Sequence, residues 1–106
     1  MKGTGGMQNL MRQAAQLQGR LKKMQEEMAE REFEASSGGG AVSVKLKGEN
    51  TVTAITITEE VMKAGDVEML QDLIVTAVNE ALKTAKNTIA QETEKLTGGM
   101  SMPGLF

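Results

Sequence analysis

Apolar side chains recur near the start of the chain at alternating intervals of three and four positions. The residues of this seam are Met7, Leu10, Ala14, Leu17, Leu21, Met24 and Met28. Their mean interval of 3.5 residues is the coiled-coil heptad period, which keeps one narrow apolar stripe facing a partner helix. The pattern therefore predicts one helix over residues 7–30, about 36 Å long, packed against a helix of the same or a second chain.

The composition limits both the core and the chemistry. The chain has 106 residues, nine methionines, two phenylalanines as its only aromatic residues, and neither cysteine nor histidine. Aliphatic side chains and methionine must supply the core, and a chain this short with one long rod would gain buried surface by dimerising. Without imidazole or thiolate we expect no metal, no cofactor and no enzyme. No apolar stretch is long enough for a signal peptide or a membrane span, so a cytoplasmic protein without a membrane partner is expected.

Charge is distributed unevenly although the formal net charge is only −2. Residues 1–25 contain five basic residues and no acidic one, whereas residues 26–34 contain five glutamates and one arginine. The polar residues on or beside the helix face opposite the seam include Arg12, Gln16, Arg20, Lys22 and Lys23. Two interpretations of this face remain open, an ordinary solvated surface or a surface that binds a polyanion such as DNA.

The middle of the chain predicts three short strands. Polar and apolar residues alternate in the first two and β-branched residues dominate the third; the segments are 32–36, 41–47 and 51–58. The turns between them are too short for a crossover helix, so the strands form an antiparallel meander. The glycines at 38–40 are interpreted as a β-turn and not as a phosphate loop, because no Gly-Lys-Ser/Thr follows them.

The remaining sequence predicts a short helical turn and a second long helix. Thr58 can cap the turn and Gly65 can end it. From Asp66 to about Leu96 the apolar stripe is wider than the seam, as a helix lying on a sheet requires. The fold class is therefore α+β in two layers. The expected organisation is a flexible N-terminus at 1–6, one dimerising domain at 7–97 and a flexible tail at 98–106.

Five stretches of the sequence carry a family resemblance through their order and spacing. They are MRQAAQLQ at 11–18, GGGAVSV at 38–44, EMLQDLI at 68–74, AVNEA at 77–81 and TGGM at 97–100, with Pro103-Gly104 beyond them. Along nearly its full length the chain resembles the YbaB/EbfC family of bacterial nucleoid-associated proteins. Gln71 stands where an acid is usual, Glu80 where Asp is common, and Lys47-Gly48 replaces a more typical Asn-Gly turn.

The resemblance implies a tweezer-shaped homodimer, with helices projecting from a shared sheet, in the nucleoid of the bacterial cytoplasm. It implies binding to double-stranded DNA with little sequence specificity, which organises the nucleoid and modulates gene expression, with no small-molecule substrate. The DNA-binding residues that it implies are Arg12, Gln16, Arg20, Lys22 and Lys23 on the first helix, with Lys83 and Lys86 on the last.

A second hypothesis remains open beside the resemblance. The Met/Leu seam could clamp another protein, as helical co-chaperones do, because methionine adapts to partners of more than one shape. Acidic stretches at 26–34 and 59–80 favour this alternative, since they would repel DNA that approached closely.

Overall fold

The computed structural model describes the backbone of residues 2–98 and the side chains of residues 6–98. Its elements are α1 (Lys2–Glu30), β1 (Glu32–Ser37), β2 (Val42–Lys47), β3 (Thr51–Ile57), α2 (Glu59–Ala64) and α3 (Val67–Thr97). This is the α+β order expected from the sequence. Residues 99–106, which make up nearly all of the predicted tail, lie outside the described residues.

The helix α1 starts earlier than the periodicity predicts. It begins at Lys2, five residues before Met7, so residues 2–6 continue the helix instead of preceding it. Once a helix is nucleated, each further residue adds one backbone hydrogen bond and needs no apolar side chain. The heptad pattern therefore marks only the part of α1 that carries the seam.

The ends of the other helices follow the sequence signals closely. Gly65 and Gly98 adopt left-handed conformations, with φ of 68° and 64°, directly after α2 and α3. The Asp66 carboxylate accepts a hydrogen bond of 3.0 Å from the Met69 N–H and caps α3. Thr58 precedes α2 as predicted, but its side chain makes no capping hydrogen bond. Its own N–H instead donates to the Ala41 carbonyl at 3.0 Å, which holds it at the end of the sheet.

The three strands form one antiparallel sheet in the order β1-β2-β3, as the predicted meander requires. The pairing of β1 with β2 runs from Glu32 opposite Lys47 to Ser37 opposite Val42. A bulge between Lys45 and Leu46 interrupts the pairing of β2 with β3. The glycines between β1 and β2 form a turn with positive φ, and a strand follows them.

The core lies between α3 and one face of β1 and β2. Its buried residues are Phe33, Val42, Val44, Leu46, Ala77, Ala81 and Ala85. Because three alanines recur every fourth residue of α3, the helix backbone approaches the sheet closely. Each fully buried Val or Leu stabilises the fold by about 1.5–3 kcal/mol. The Ser37 hydroxyl, which donates to the Leu73 carbonyl oxygen at 2.6 Å, ties the end of β1 to α3 and extends β1 to this residue.

The strand β3 lies beyond the cover of α3, which packs on β1 and β2. The wide apolar stripe of α3 predicted a helix lying on the sheet, and in the structure α3 lies over two of the three strands. Val52 and Ile55 lie opposite Leu46 and Val44, on the same face of the sheet, yet they are 42% and 46% exposed. One helix of about 10 Å diameter spans roughly two strands spaced 4.8 Å apart, so the third is left open.

The molecule is elongated because α1 extends beyond the sheet and α3. Its dimensions are 77 × 20 × 18 Å. Near its C-terminal end α1 contacts the β2–β3 turn, where a Cβ on Gly48 would overlap the carbonyl oxygen of Met28. Further along α1, Arg20 and Met24 share a cleft with Glu92 and Leu96 of α3, so the two helices run antiparallel. Every side chain from residue 6 to residue 16 is exposed, and we call residues 2–16 the arm.

Candidate nucleic-acid interface

The five candidate residues of α1 are exposed and lie along one helix. They are Arg12, Gln16, Arg20, Lys22 and Lys23. The ion pairs of the described residues join Lys47 with Glu30, Lys63 with Glu59 and Lys95 with Glu92, so they include none of these side chains. From Arg12 to Lys23 the helix rises about 16 Å, or roughly half a helical turn of B-DNA. Four cations outside the described ion pairs therefore lie within this length of helix, Arg12 and Lys23 opposite the seam and Arg20 and Lys22 on its two flanks, where a phosphate backbone could contact them.

The packing of α1 sets the direction of this basic face. Leu21 and Met24 are 5% and 7% exposed, and α1 packs on α3. Because Arg12 lies opposite the seam on the helix, it points into solvent. Lys23 is also exposed, but it lines a cleft with Glu92 and Leu96 of α3. The body of the protein therefore leaves Arg12 open to solvent, and the C-terminal end of the basic face borders the last turns of α3.

The two candidate lysines of α3 are exposed but lie apart from the arm. Lys86 shares an open cleft with Gly48 and Asn50 of the β2–β3 turn, and Lys83 lies one helical turn before it. Gly48 in turn lies against Met28, which is sixteen residues from Arg12. Along α1 this separation is about 24 Å. Within one chain, the candidate residues of α1 therefore lie together, whereas Lys83 and Lys86 lie near the C-terminal end of α1.

The acidic residues lie mostly away from the arm. Glu30 pairs with Lys47 at 3.2 Å, at the base of α1. Asp66, Glu68 and Asp72 line an open groove at the N-terminal end of α3, whereas the C-terminal end of α3 lies beside Arg20. Twenty residues of helix, or about 30 Å, separate Asp72 from Glu92. The arm therefore contains no acidic residue, whereas Glu27 and Glu92 line the cleft with Arg20 and Lys23 at the C-terminal end of the basic face.

The seam is covered over only part of its length. Leu21 and Met24 are buried and Leu17 and Met28 are half-buried, so the partner helix of this part is α3 of the same chain. Toward the tip, Met7 and Leu10 are 61% and 64% exposed, and Ala14 is also exposed. The predicted partner helix is therefore present for the C-terminal half of the seam, whereas in the arm no described residue covers the seam.

The structure adds one residue to the apolar side of the arm. Met11 is 66% exposed and lies one turn from Met7 on the same side of α1. The heptad pattern misses it because it falls outside the alternating spacing of three and four. A count of large apolar residues on the helix wheel would have found it.

The described residues offer little for other chemistry. Among the side chains of residues 6–98, no three or more acidic, histidine or cysteine groups are arranged to hold a metal ion. Within the same part of the chain, no helix combines the length and the hydropathy that a membrane span needs.

Known proteins resemble this chain over nearly its whole length. A model described as the YbaB/EbfC DNA-binding family matches residues 2–100. Proteins named nucleoid-associated protein from Clostridium novyi (strain NT) and Alkaliphilus metalliredigens (strain QYMF) are 51% and 48% identical over 106 residues, which are 100% of this chain and 93% of each relative. These names describe nucleoid-associated and DNA-binding proteins and not enzymes.

The fold itself has a counterpart among solved structures. The crystal structure of an uncharacterized protein from Helicobacter pylori superimposes with a TM-score of 0.66 at 19% identity. The match covers 92% of this chain and 97% of that chain, so the two share one fold.

Proposed function

Since this chain belongs to the YbaB/EbfC DNA-binding family, we propose that it binds double-stranded DNA as a homodimer in the bacterial nucleoid. Binding is through phosphates and has little sequence specificity. It organises the nucleoid and modulates gene expression where the protein is bound. The observation that carries this proposal is the exposed basic face of α1, with Arg12, Arg20, Lys22 and Lys23 outside the described ion pairs.

Contacts to the phosphates account for the chemistry of this face. Its cations and amides are donors suited to phosphate oxygens, which carry no sequence information directly. Stacking on single-stranded bases needs exposed aromatic rings, and Phe33, one of only two aromatic residues in the chain, is 5% exposed. Duplex DNA is therefore the form of nucleic acid that this surface suits.

The uncovered part of the sheet supports self-association. Val52 and Ile55 form an apolar strip on β3, and within residues 2–98 the outer edge of β3 has no neighbouring strand. An exposed edge strand with apolar residues is a surface that a second copy can cover. A dimer around this strip would present two α1 helices and so double the basic charge that faces DNA.

A charge-reversal experiment tests the electrostatic model. If each subunit contacts two or three phosphates, the logarithm of the duplex-binding constant should fall with the logarithm of salt concentration at a slope of about −4 to −5. Arg12→Glu with Lys23→Glu should weaken binding to all duplex sequences about equally and reduce the steepness by about 3 to 4. The measurement is a gel-shift titration over a salt series, with the mass in solution as a check on assembly.

The matched control is Lys45→Glu with Lys63→Glu, which changes the net charge equally at exposed sites away from α1. This double variant should keep most of the affinity for duplex DNA and most of the dependence of binding on salt concentration. An equal loss in both double variants would mean that net charge, and not the α1 face, determines binding. Loss confined to one DNA sequence would indicate recognition of base edges.

The exposure of Met7 and Leu10 favours one second candidate, a clamp for another protein. Under this alternative Leu10→Asp abolishes capture of a partner and the α1 charge reversals are harmless. Under the DNA-binding proposal Leu10→Asp leaves the affinity for duplex nearly unchanged, because this side chain lies on the seam side of α1.

A further inference from the structure

The arm carries an apolar surface that nothing among the described residues covers. Met7, Leu10 and Met11 are 61%, 64% and 66% exposed, and Ala14 is exposed between them and the covered part of the seam. We call these four residues the open stripe. A cluster of large apolar side chains on one side of a projecting helix is costly in water and indicates an interaction surface.

The chain leaves α3 close to this stripe. Gly98 follows the last residue of α3, and its N–H donates to the carbonyl oxygen of Glu94. The preceding turn, with Glu92 and Leu96, shares a cleft with Arg20 and Met24 of α1. Gly98, the last described residue, therefore lies near α1, on the side where the seam passes from covered to open.

The segment that follows has the length and composition to cover the stripe. Residues 99–106 read GMSMPGLF, with four large apolar side chains and no charged side chain. Extended, eight residues span up to about 28 Å. From Arg20 to Met7 the axis of α1 rises thirteen residues, or about 20 Å. The segment can therefore reach the far end of the stripe.

We infer that residues 99–106 dock on the open stripe of their own chain. The stripe spans residues 7–14, only about two helical turns, and a stable coiled-coil seam with another helix needs three or four heptads. A segment of eight mostly apolar residues matches a patch of this length better. Its tether also gives it an effective concentration in the millimolar range, which a separate molecule rarely reaches.

This inference goes beyond the proposed function, because the site is an apolar one within the protein. Arg12 and Lys23 lie on the opposite side of α1 and stay accessible when the stripe is covered. A flexible tail was predicted here because residues 99–106 contain glycines and a proline. The same composition is compatible with a segment that docks without forming a helix or strand. The docked segment shields the arm's side chains from water and stiffens the helix that carries Arg12.

Disulfide formation tests which side of the arm the segment meets. The chain has no cysteine, so only introduced thiols can react. A disulfide needs Cβ atoms about 3.5–4.5 Å apart. In the full-length chain, Leu105→Cys with Met7→Cys should oxidise several-fold faster than the matched pair Leu105→Cys with Asn9→Cys, whose second thiol lies on the other side of α1. The product is identified by mass spectrometry and by a denaturing gel without reductant.

Each other outcome overturns the inference. Equal rates in the two pairs, or no cross-link in either, would show that the segment does not rest on the stripe. A cross-link between two chains would assign the stripe to a second copy. Loss of the cross-link on adding a cell extract, with an extract protein bound instead, would assign it to that partner.

A second measurement does not depend on thiols. Hydrogen exchange of the amides at residues 7–14 should be several-fold faster in Leu105→Asp with Phe106→Asp than in the unaltered chain. The control Ser101→Asp adds charge to the same segment without removing an apolar side chain, and it should leave exchange nearly unchanged. Equal exchange in all three proteins would overturn the inference, whereas duplex binding by the arm would be unaffected.

Discussion

At the scale of single residues, small side chains determine how closely the elements of this protein approach. Ala77, Ala81 and Ala85 are at most 1% exposed and bring α3 onto the sheet. Gly48 lets the β2–β3 turn approach the backbone of α1 at Met28, and its N–H donates to the carbonyl oxygen of Arg31, directly after α1, at 3.0 Å. By contrast, Gly19 lies within exposed helix, and a Cβ there would meet nothing within 4 Å. The same residue type therefore has a packing role at one position and none at the other.

Alanine substitutions at the two glycines should have opposite effects on stability. Gly48→Ala should lower the free energy of unfolding by about 1–3 kcal/mol or more, because its Cβ overlaps a backbone carbonyl that cannot move aside easily. Gly19→Ala should raise it by up to about 1 kcal/mol, because alanine is the better helix former. Urea unfolding followed by circular dichroism measures both. A stable Gly48→Ala protein would contradict the close approach of the turn to α1.

At the scale of elements, α1 and β3 each have an apolar side that is incompletely covered within the chain. The seam of α1 is buried at Leu21 and Met24 and open toward the tip. The strand β3 shares a face with the core residues of β2 but lies beyond α3. The chain itself therefore covers only part of the apolar seam of α1, and it leaves the apolar residues of β3 open to a partner.

Substitution on β3 should separate the proposed dimer. Ile55→Asp places a charge on the apolar strip, and burying an unpaired carboxylate between two copies is strongly unfavourable. The expected result is half the solution mass of the unaltered protein, by light scattering, with the circular dichroism spectrum retained. Thr56→Asp, on the adjacent residue and the opposite face of the same strand, is the matched control and should leave the mass unchanged. If both variants remain dimers, the dimer interface does not include this strip.

At the scale of the whole molecule, charge is separated along a particle 77 Å long. Residues 2–25 of α1 contain five basic residues and no acidic one, and the groove at the N-terminal end of α3 is lined by Asp66, Glu68 and Asp72. A molecule of this kind approaches a polyanion with the basic part of α1 first, because the acidic end is repelled. The small net charge of −2 conceals this separation.

Dimerisation should then be visible in the salt dependence of duplex binding. If two arms contact phosphates together, the Ile55→Asp monomer keeps half of those contacts. The slope of binding against salt should fall from about −4 to −5 to about −2. Titration of one duplex across a salt series, with both proteins at known mass, measures this change. An unchanged slope would mean that one arm makes all the contacts.

Much of the fold was predictable from local patterns. The period of 3.5 indicated α1, alternation indicated the strands, and glycine and aspartate signals located the ends of α2 and α3 within a residue or two. These signals depend on neighbours along the chain, so one sequence suffices to read them. They miss the part of α1 at residues 2–6, where the helix needs no apolar side chain.

The sequence by itself determined which side of each element is apolar, that basic residues cluster on α1, and, through its likeness to known proteins, which family the chain belongs to. Only the tertiary structure decided that α3 covers two strands of three, that the seam is buried at Leu21 but open at Leu10, and that Lys86 lies far from Arg12. Periodicity specifies a face but not what packs against it. That depends on the lengths and relative positions of elements distant in sequence, which only the folded chain sets.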